Sequence, residues 1–406
     1  MKIKQSALSA LLGLGLVSSA SAVNFVFITG STAFRSVAFT AITNSFDAIP
    51  QIATRDGSSA TGNNANWMLF HGNVSGVETW VNCHWSGSED GVASVAQPGS
   101  NPKFYLKTDG TVAFVISSAV PTSGETNTSP TTSDLAFADS SQAVSLTKTP
   151  ALVKMGTNAS PSGRVGIVPF VWAKNKNTNP SNSWTHLTNM TDVGSRVALS
   201  GPNIAALFTG DASDTNQFIY VVGRNNRSGT RVDTLACNRY GITVPVDQFN
   251  IGGFPKSDGT TLLLAENPDP NDGYDGGGDV EKAMHIDGSC QQTDPFSGLN
   301  GWYAIGYLGI GDANTLLANG GVWLTFNGVP YSNGAVEEGL YSFWNYEYLY
   351  GRVGISGFPQ TYGNNLASTF VPKFAGGSNP ANKDTSIGLQ FMHATKPSDT
   401  GDPAHN

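Results

Sequence analysis

The chain has 406 residues, of which 39% are hydrophobic, 10% aromatic and 13% charged, with 47 glycines. That length gives ample core for two or three domains, and aromatics spread along it without a three-residue glycine period exclude a disordered or collagen-like chain. A formal charge of −8 argues against nucleic acid or an anionic membrane as partner of the whole surface, and so few charges leave its polarity to Asn, Ser, Thr and Gln, as in secreted proteins.

Residues 1–22 read as a signal peptide, with Lys2 and Lys4 ahead of an apolar run from Ala7 to Val17 and an Ala20-Ser21-Ala22 cleavage site before Val23. The apolar run is too short to span a bilayer, and no Cys follows the cleavage site to carry a lipid anchor. A periplasmic or secreted mature chain is expected. It opens with the buried-strand run Val23 to Ile28, the turn Thr29-Gly30-Ser31-Thr32, and a segment with Phe34, Val37, Ala38, Ala41 and Ile42 at helical spacing. Strand, small polar turn and amphipathic helix together make an α/β beginning.

Further along, Lys103 to Leu106 and Thr111 to Ile116 flank Asp109-Gly110 and read as a hairpin inserted near 97–133. Val165 to Trp172 is a second apolar strand and a candidate first crossing between domains. Phe218 to Val222 is a strand, followed by a turn at Arg224 to Thr230 and a helix from Arg231 to about Tyr240. Trp302 to Tyr307 and Val322 to Phe326 are further strands, the second near a return crossing; Leu340 to Tyr350 is the last segment of core character, and 375–406 reads as surface and tail.

Three cysteines, Cys83, Cys237 and Cys290, suggest one disulfide and one buried thiol in an oxidising compartment; Cys237 with Cys290 is the expected pair because both fall in the same half. A zinc site is the weaker reading, since neither Cys-x-x-Cys nor His-x-x-x-His spacing occurs, and no metal or cofactor is expected.

Four loops carry groups suited to one oxyanion. The strongest is Arg224-Asn225-Asn226-Arg227-Ser228-Gly229-Thr230 between a strand and a helix. A helix start offers unpaired N–H groups and the positive end of the dipole, Gly229 lets the backbone approach, Ser228 and Thr230 add hydroxyls, and Arg224 adds a guanidinium. Ser31 and Thr32 stand at the first strand-to-helix junction, and Ser88 stands in Trp85-Ser86-Gly87-Ser88-Glu89-Asp90-Gly91-Val92. The plain alternative for each is ordinary helix capping. The fourth, Ser133 to Ser141, contributes the carboxylate of Asp139, which beside an anion would repel any ligand unable to offer it a proton.

The order and spacing of these loops resemble the periplasmic phosphate-binding proteins of bacterial ABC transporters, type II solute-binding proteins. Gly30-Ser31-Thr32-Ala33-Phe34 is similar to that family's first loop, and Gly87-Ser88-Glu89-Asp90-Gly91-Val92 to its Gly-Ser-Ser-Gly-Gly-Val loop. Asp134 to Asp139 resembles its Asp-Phe-Gly-Ala-Ser-Asp segment, and Arg224, Ser228, Gly229 and Thr230 match its Arg-x-x-x-Ser-Gly-Thr loop. Ala304-Ile305-Gly306-Tyr307 resembles a family strand, and Asp275 to Val280 sits where the family has a Gly-rich helix start. Glu89 and Asp90 stand where the family has small residues, and the segment between Ser88 and Asp139 is longer than its norm.

The resemblance implies a two-lobed α/β fold, each lobe a mixed sheet flanked by helices, with the ligand in the cleft. Lobe 1 would comprise 23–167 plus 327–395, lobe 2 would comprise 168–326, and 396–406 would be a flexible tail. It implies a monomeric, non-enzymatic binder of hydrogenphosphate serving the membrane subunits of an ABC permease. The ligand set would be Ser31, Thr32, Ser88, Asp139, Arg224, Ser228, Gly229 and Thr230.

Three other readings compete. A secreted phosphatase would gather similar groups but needs metal ligands or an activated nucleophile, and the six histidines are scattered. The acidic, Gly-rich stretch Asp269 to Asp279 misses the EF-hand spacing and reads as a solvated loop leading into a helix. Eight tryptophans and low charge suggest a surface adhesion or carbohydrate-binding protein, although most of the tryptophans lie in apolar runs and read as core.

Overall fold

The computed structural model describes residues 23–55, 62–63, 65–106, 128–156, 162–252, 263–266, 269–285, 298, 302–376 and 385–405. The leader, the strand expected at 111–116 and Cys290 lie outside them. Ten strands form the main path of one large mixed sheet: β1 (Asn24–Gly30), β2 (Gln51–Arg55), β3 (Trp67–Val74), β4 (Val77–His84), β5 (Leu135–Ala138), β6 (Arg164–Lys174), β7 (Asn203–Ile204), β8 (Phe218–Val222), β9 (Trp302–Gly309) and β10 (Trp344–Gly351). Their order across the sheet is β7-β8-β9-β6-β10-β5-β1-β4-β3-β2.

β6 belongs to both halves of this sheet. Its stretch from Arg164 to Pro169 pairs antiparallel with β10, and its stretch from Phe170 to Lys174 pairs antiparallel with β9. All of its eleven residues except Arg164 are buried, as are all eight in each of β9 and β10. Strands covered on both faces read as unbroken apolar runs, which is why these segments stand out in the sequence. The segment Val165 to Trp172 lies within this strand, whose pairing partner changes between Pro169 and Phe170.

The helices that matter for the site are α1 (Arg35–Thr43), α2 (Ser88–Ala96), α3 (Gly229–Cys237), α4 (Gly277–Met284) and α5 (Ile310–Ala318). At nine residues, α1, α2 and α3 would be marginal alone, so packing of their buried faces on the sheet holds them. α1 buries Val37, Ala38, Ala41 and Ile42, the face its spacing predicts. α3 starts two residues earlier than expected, because the Ser228 hydroxyl accepts the Arg231 N–H and caps it. Among the described residues no helix is long and apolar enough to cross a membrane.

Lys103–Leu106 pairs antiparallel with Thr128–Thr131, while the partner expected at Thr111 to Ile116 lies outside the described residues. Two expectations meet a different arrangement. Val322 to Phe326 is two short pieces, Val322–Trp323 on β6 and Thr325–Phe326 on Asn189–Met190. The segment read as a tail is packed: Ala394, Lys396 and Asp399 are buried. Lys396 Nζ donates to the Trp344 carbonyl at 2.6 Å, the Ser141 N–H donates to Asp399 Oδ2 at 2.6 Å, and Arg239 pairs with Asp402. Cys237 is a free thiol whose Sγ lies 3.4 Å from Lys396 Nζ.

Candidate functional site

Strand direction explains why distant loops meet. β4 and β5 run parallel to β1, so the loops after Gly30, His84 and Ala138 leave from the same edge of the sheet. In the other half β8 runs parallel to β9, and the loops after Val222 and Gly309 leave together. Carboxyl ends of parallel strands are where open α/β sheets place ligands. These loops carry Ser31 and Thr32, Ser88, Asp139, and Arg224 to Thr230.

Ser88, Asp139, Gly229 and Thr230 converge on one buried point. Ser88 Oγ donates to Asp139 Oδ1, the Asp139 N–H donates to Ser88 Oγ at 3.3 Å, and Thr230 Oγ1 donates to Asp139 Oδ2 at 3.5 Å. A Cβ on Gly229 would lie 1.5 Å from Asp139 Oδ1, so only glycine allows this approach. Gly87, at φ +102°, meets the Arg227 carbonyl, whose oxygen would lie 2.4 Å from a Cβ there, and the Glu89 N–H donates to that carbonyl at 3.1 Å.

Burial raises the Asp139 pKa to about 6; the Ser88 hydroxyl, the charge of Arg224, its own N–H and Thr230 oppose that rise. Arg224 is buried and fixed. Its Nε donates to the Tyr274 carbonyl at 3.2 Å and its Nη2 to the Asp275 carbonyl at 2.6 Å, while Nη1 lies toward Gly277 and Asp312. The Arg224 N–H donates to the Tyr307 hydroxyl, which donates to Gln248 Oε1; Gln248 returns a bond to the Arg224 carbonyl.

The remaining expected residues stand apart from that point. Ser228 caps α3. Ser31 is buried beneath the loop, where its hydroxyl accepts the Phe34 N–H at 3.3 Å. Thr32 lines the mouth of a polar cleft of about 620 Å³ with Arg35, Asn66, Gly276, Asp279 and Asp312. Arg35 donates to Asn66 Oδ1 at 2.7 Å.

The residues that depart from the family pattern point away from the centre. Glu89 accepts from Ser140 and Ser145 hydroxyls at 3.0 and 2.8 Å and from the Leu146 N–H at 2.7 Å, which fixes the turn after Asp139. Asp90 pairs with Lys103. The acidic loop expected to be solvated has its carbonyls turned inward: those of Pro270, Asn271 and Asp272 accept from Arg231, and that of Asp272 also accepts from Gln248. α4 follows it at Gly277.

Sequence reasoning missed a second layer. Glu347 on β10 is wholly buried with neither carboxyl oxygen hydrogen-bonded, and Asp233 on α3 is wholly buried with only Oδ1 bonded, by Asn345 Nδ2 at 2.6 Å. Burial drives both carboxyls well above the usual range, and the charge of Asp139 pushes them further. The Ser31 hydroxyl alone opposes this at Glu347, from outside hydrogen-bonding geometry. A Glu inside Phe343-Trp344-Asn345-Tyr346-Glu347-Tyr348 is the one signal the sequence offered.

No family model matches the chain, and no curated protein is significantly similar to it. Among solved structures it is similar to a candidate phosphate ABC transporter substrate-binding protein with bound phosphate from Clostridium perfringens, at 12% identity and a TM-score of 0.43, over 90% of this chain and 100% of that one. It is also similar to an ABC-type phosphate transport receptor from Vibrio cholerae, at 12% identity and 0.40, over 86% and 96%. A third is PstS from Borrelia burgdorferi, at 13% and 0.36, over 90% and 98%.

Proposed function

We propose that this is a secreted or periplasmic solute-binding protein that takes inorganic phosphate between two lobes, divided near β6, and hands it to an ABC permease. The supporting observation is the convergence of Ser88, Asp139, Gly229 and Thr230, from three separate chain segments, on one buried point faced by the charge of Arg224. Donors from the start of α3 and from Arg224 would meet the anion's oxygens, and Asp139 would accept the proton of hydrogenphosphate. Ser31 and Thr32 would complete the site once the loops part to admit the ligand. Sulfate carries no such proton at neutral pH, so it would set two anionic groups face to face.

Calorimetric titration of the mature protein, stripped of anion by unfolding and refolding, tests this. Phosphate should bind at micromolar Kd or tighter, equivalent to about −8 kcal/mol, with no heat from sulfate. Absence of heat with both anions would overturn the proposal.

A further inference from the structure

Away from the anion loops, three potential metal ligands meet at the surface. His186 ends the short helix Asn182–His186, and Asp211 and Asp214 bracket the turn that leads toward β8. His186 Nδ1 lies 3.0 Å from Asp214 Oδ2 and 3.6 Å from Asp211 Oδ2, and all three donor atoms lie within 4.8 Å of one another.

An imidazole nitrogen carries at most one proton, so it can donate to only one of two carboxylates that converge on it. One of them, Asp214, has a side chain only 2% exposed, so its carboxylate needs a bonded or charged partner, and the nitrogen it shares with Asp211 is the one within reach. Asp211 is already oriented: its Oδ1 accepts from the Ser213 N–H at 2.8 Å and the Ser213 hydroxyl at 2.7 Å, which leaves Oδ2 toward His186.

We infer that His186, Asp211 and Asp214 form a site for a first-row divalent cation, with Zn²⁺ the best fit. Zinc bonds of about 2.0–2.1 Å in a tetrahedron place ligand atoms about 3.3 Å apart, which the two observed separations bracket. Calcium and magnesium prefer all-oxygen shells, whereas imidazole with carboxylate suits zinc. The fourth position faces solvent and would take water. The ion would clip the helix at 182–186 to the turn at 211–214 and so brace the approach to β8; this inference is independent of the proposed function.

The test uses the mature chain without a polyhistidine tag, treated with EDTA and titrated calorimetrically with ZnCl₂ in phosphate-free buffer. One zinc per chain should bind saturably and raise the melting temperature. Asp211→Asn, at an exposed position, should weaken binding at least tenfold while leaving the metal-free melting temperature within about two degrees; His186→Ala should weaken binding at least as much and also lower the metal-free melting temperature, because it strips the buried Asp214 of its bonded nitrogen. His393→Ala, at the separate His393, Glu338 and His405 pairing, should leave zinc affinity unchanged. No saturable binding, wild-type affinity in both site variants, loss of binding only in His393→Ala, or calcium binding as tight as zinc would overturn the assignment.

Discussion

Asp139 and Glu347 are both carboxyls removed from water, yet they sit in opposite circumstances. Asp139 has Ser88, Thr230 and its own N–H as donors and the charge of Arg224 nearby, which hold its pKa to about 6. Glu347, on the neighbouring strand, has no hydrogen-bonded partner among the described residues and is driven far higher. Equal burial therefore gives one carboxyl held to about 6 by its donors and one pushed well above the usual range. Partners, more than depth, separate the two.

The largest effect expected from breaking this contrast is on selectivity. Asp139→Asn removes the carboxylate proposed to meet the ligand's proton and should relax sulfate rejection by about 2–5 kcal/mol, read by competitive titration of the two anions. Gly229→Ala forces a methyl into Asp139 and should cost about 1–3 kcal/mol of stability by chemical denaturation, with weaker phosphate binding.

The pH dependence of stability sharpens the comparison further. An Asp carboxyl with an unfolded pKa near 3.9 and a folded value of about 6 keeps a proton in the folded chain that the unfolded chain has released. The stability this provides is fully present below about pH 4 and is lost as pH rises through about 6, a change on the order of 3 kcal/mol. Denaturation of the ligand-free protein from pH 4 to 8 should show a decline that Asp139→Asn flattens. Glu347→Gln replaces a carboxyl that has no bonded partner and should stabilise by about 1–3 kcal/mol at pH 7, with less gain near pH 4. The smallest effect belongs to the rim: Arg227 pairs with Asp275 in solvent, and Arg227→Ala should change phosphate affinity less than about fivefold.

The convergence at Asp139 was legible because hydroxyls and glycines cluster directly after apolar strands, and strand direction does the rest. Glu347 was not, since its apposition to Asp139 depends on β10 entering between β5 and β6, strands whose sequence neighbours lie elsewhere. The segment at 394–402 was misread for a related reason. Its polar composition describes a surface, but Lys396 and Asp399 are buried against a carbonyl and an N–H that only the fold supplies. Similarly, His186 and the Asp211 to Asp214 turn follow no period that would join them in one dimension.

The close meeting of Gly87 with Arg227 and of Gly229 with Asp139 has a kinetic consequence. Hydroxyls that would greet an oxyanion are already bonded across the contact, so an incoming ion must wait for the loops to separate. In stopped-flow mixing the observed rate should climb with phosphate concentration and then level at the rate of that separation, so the ceiling on capture would be set by the protein and not by diffusion.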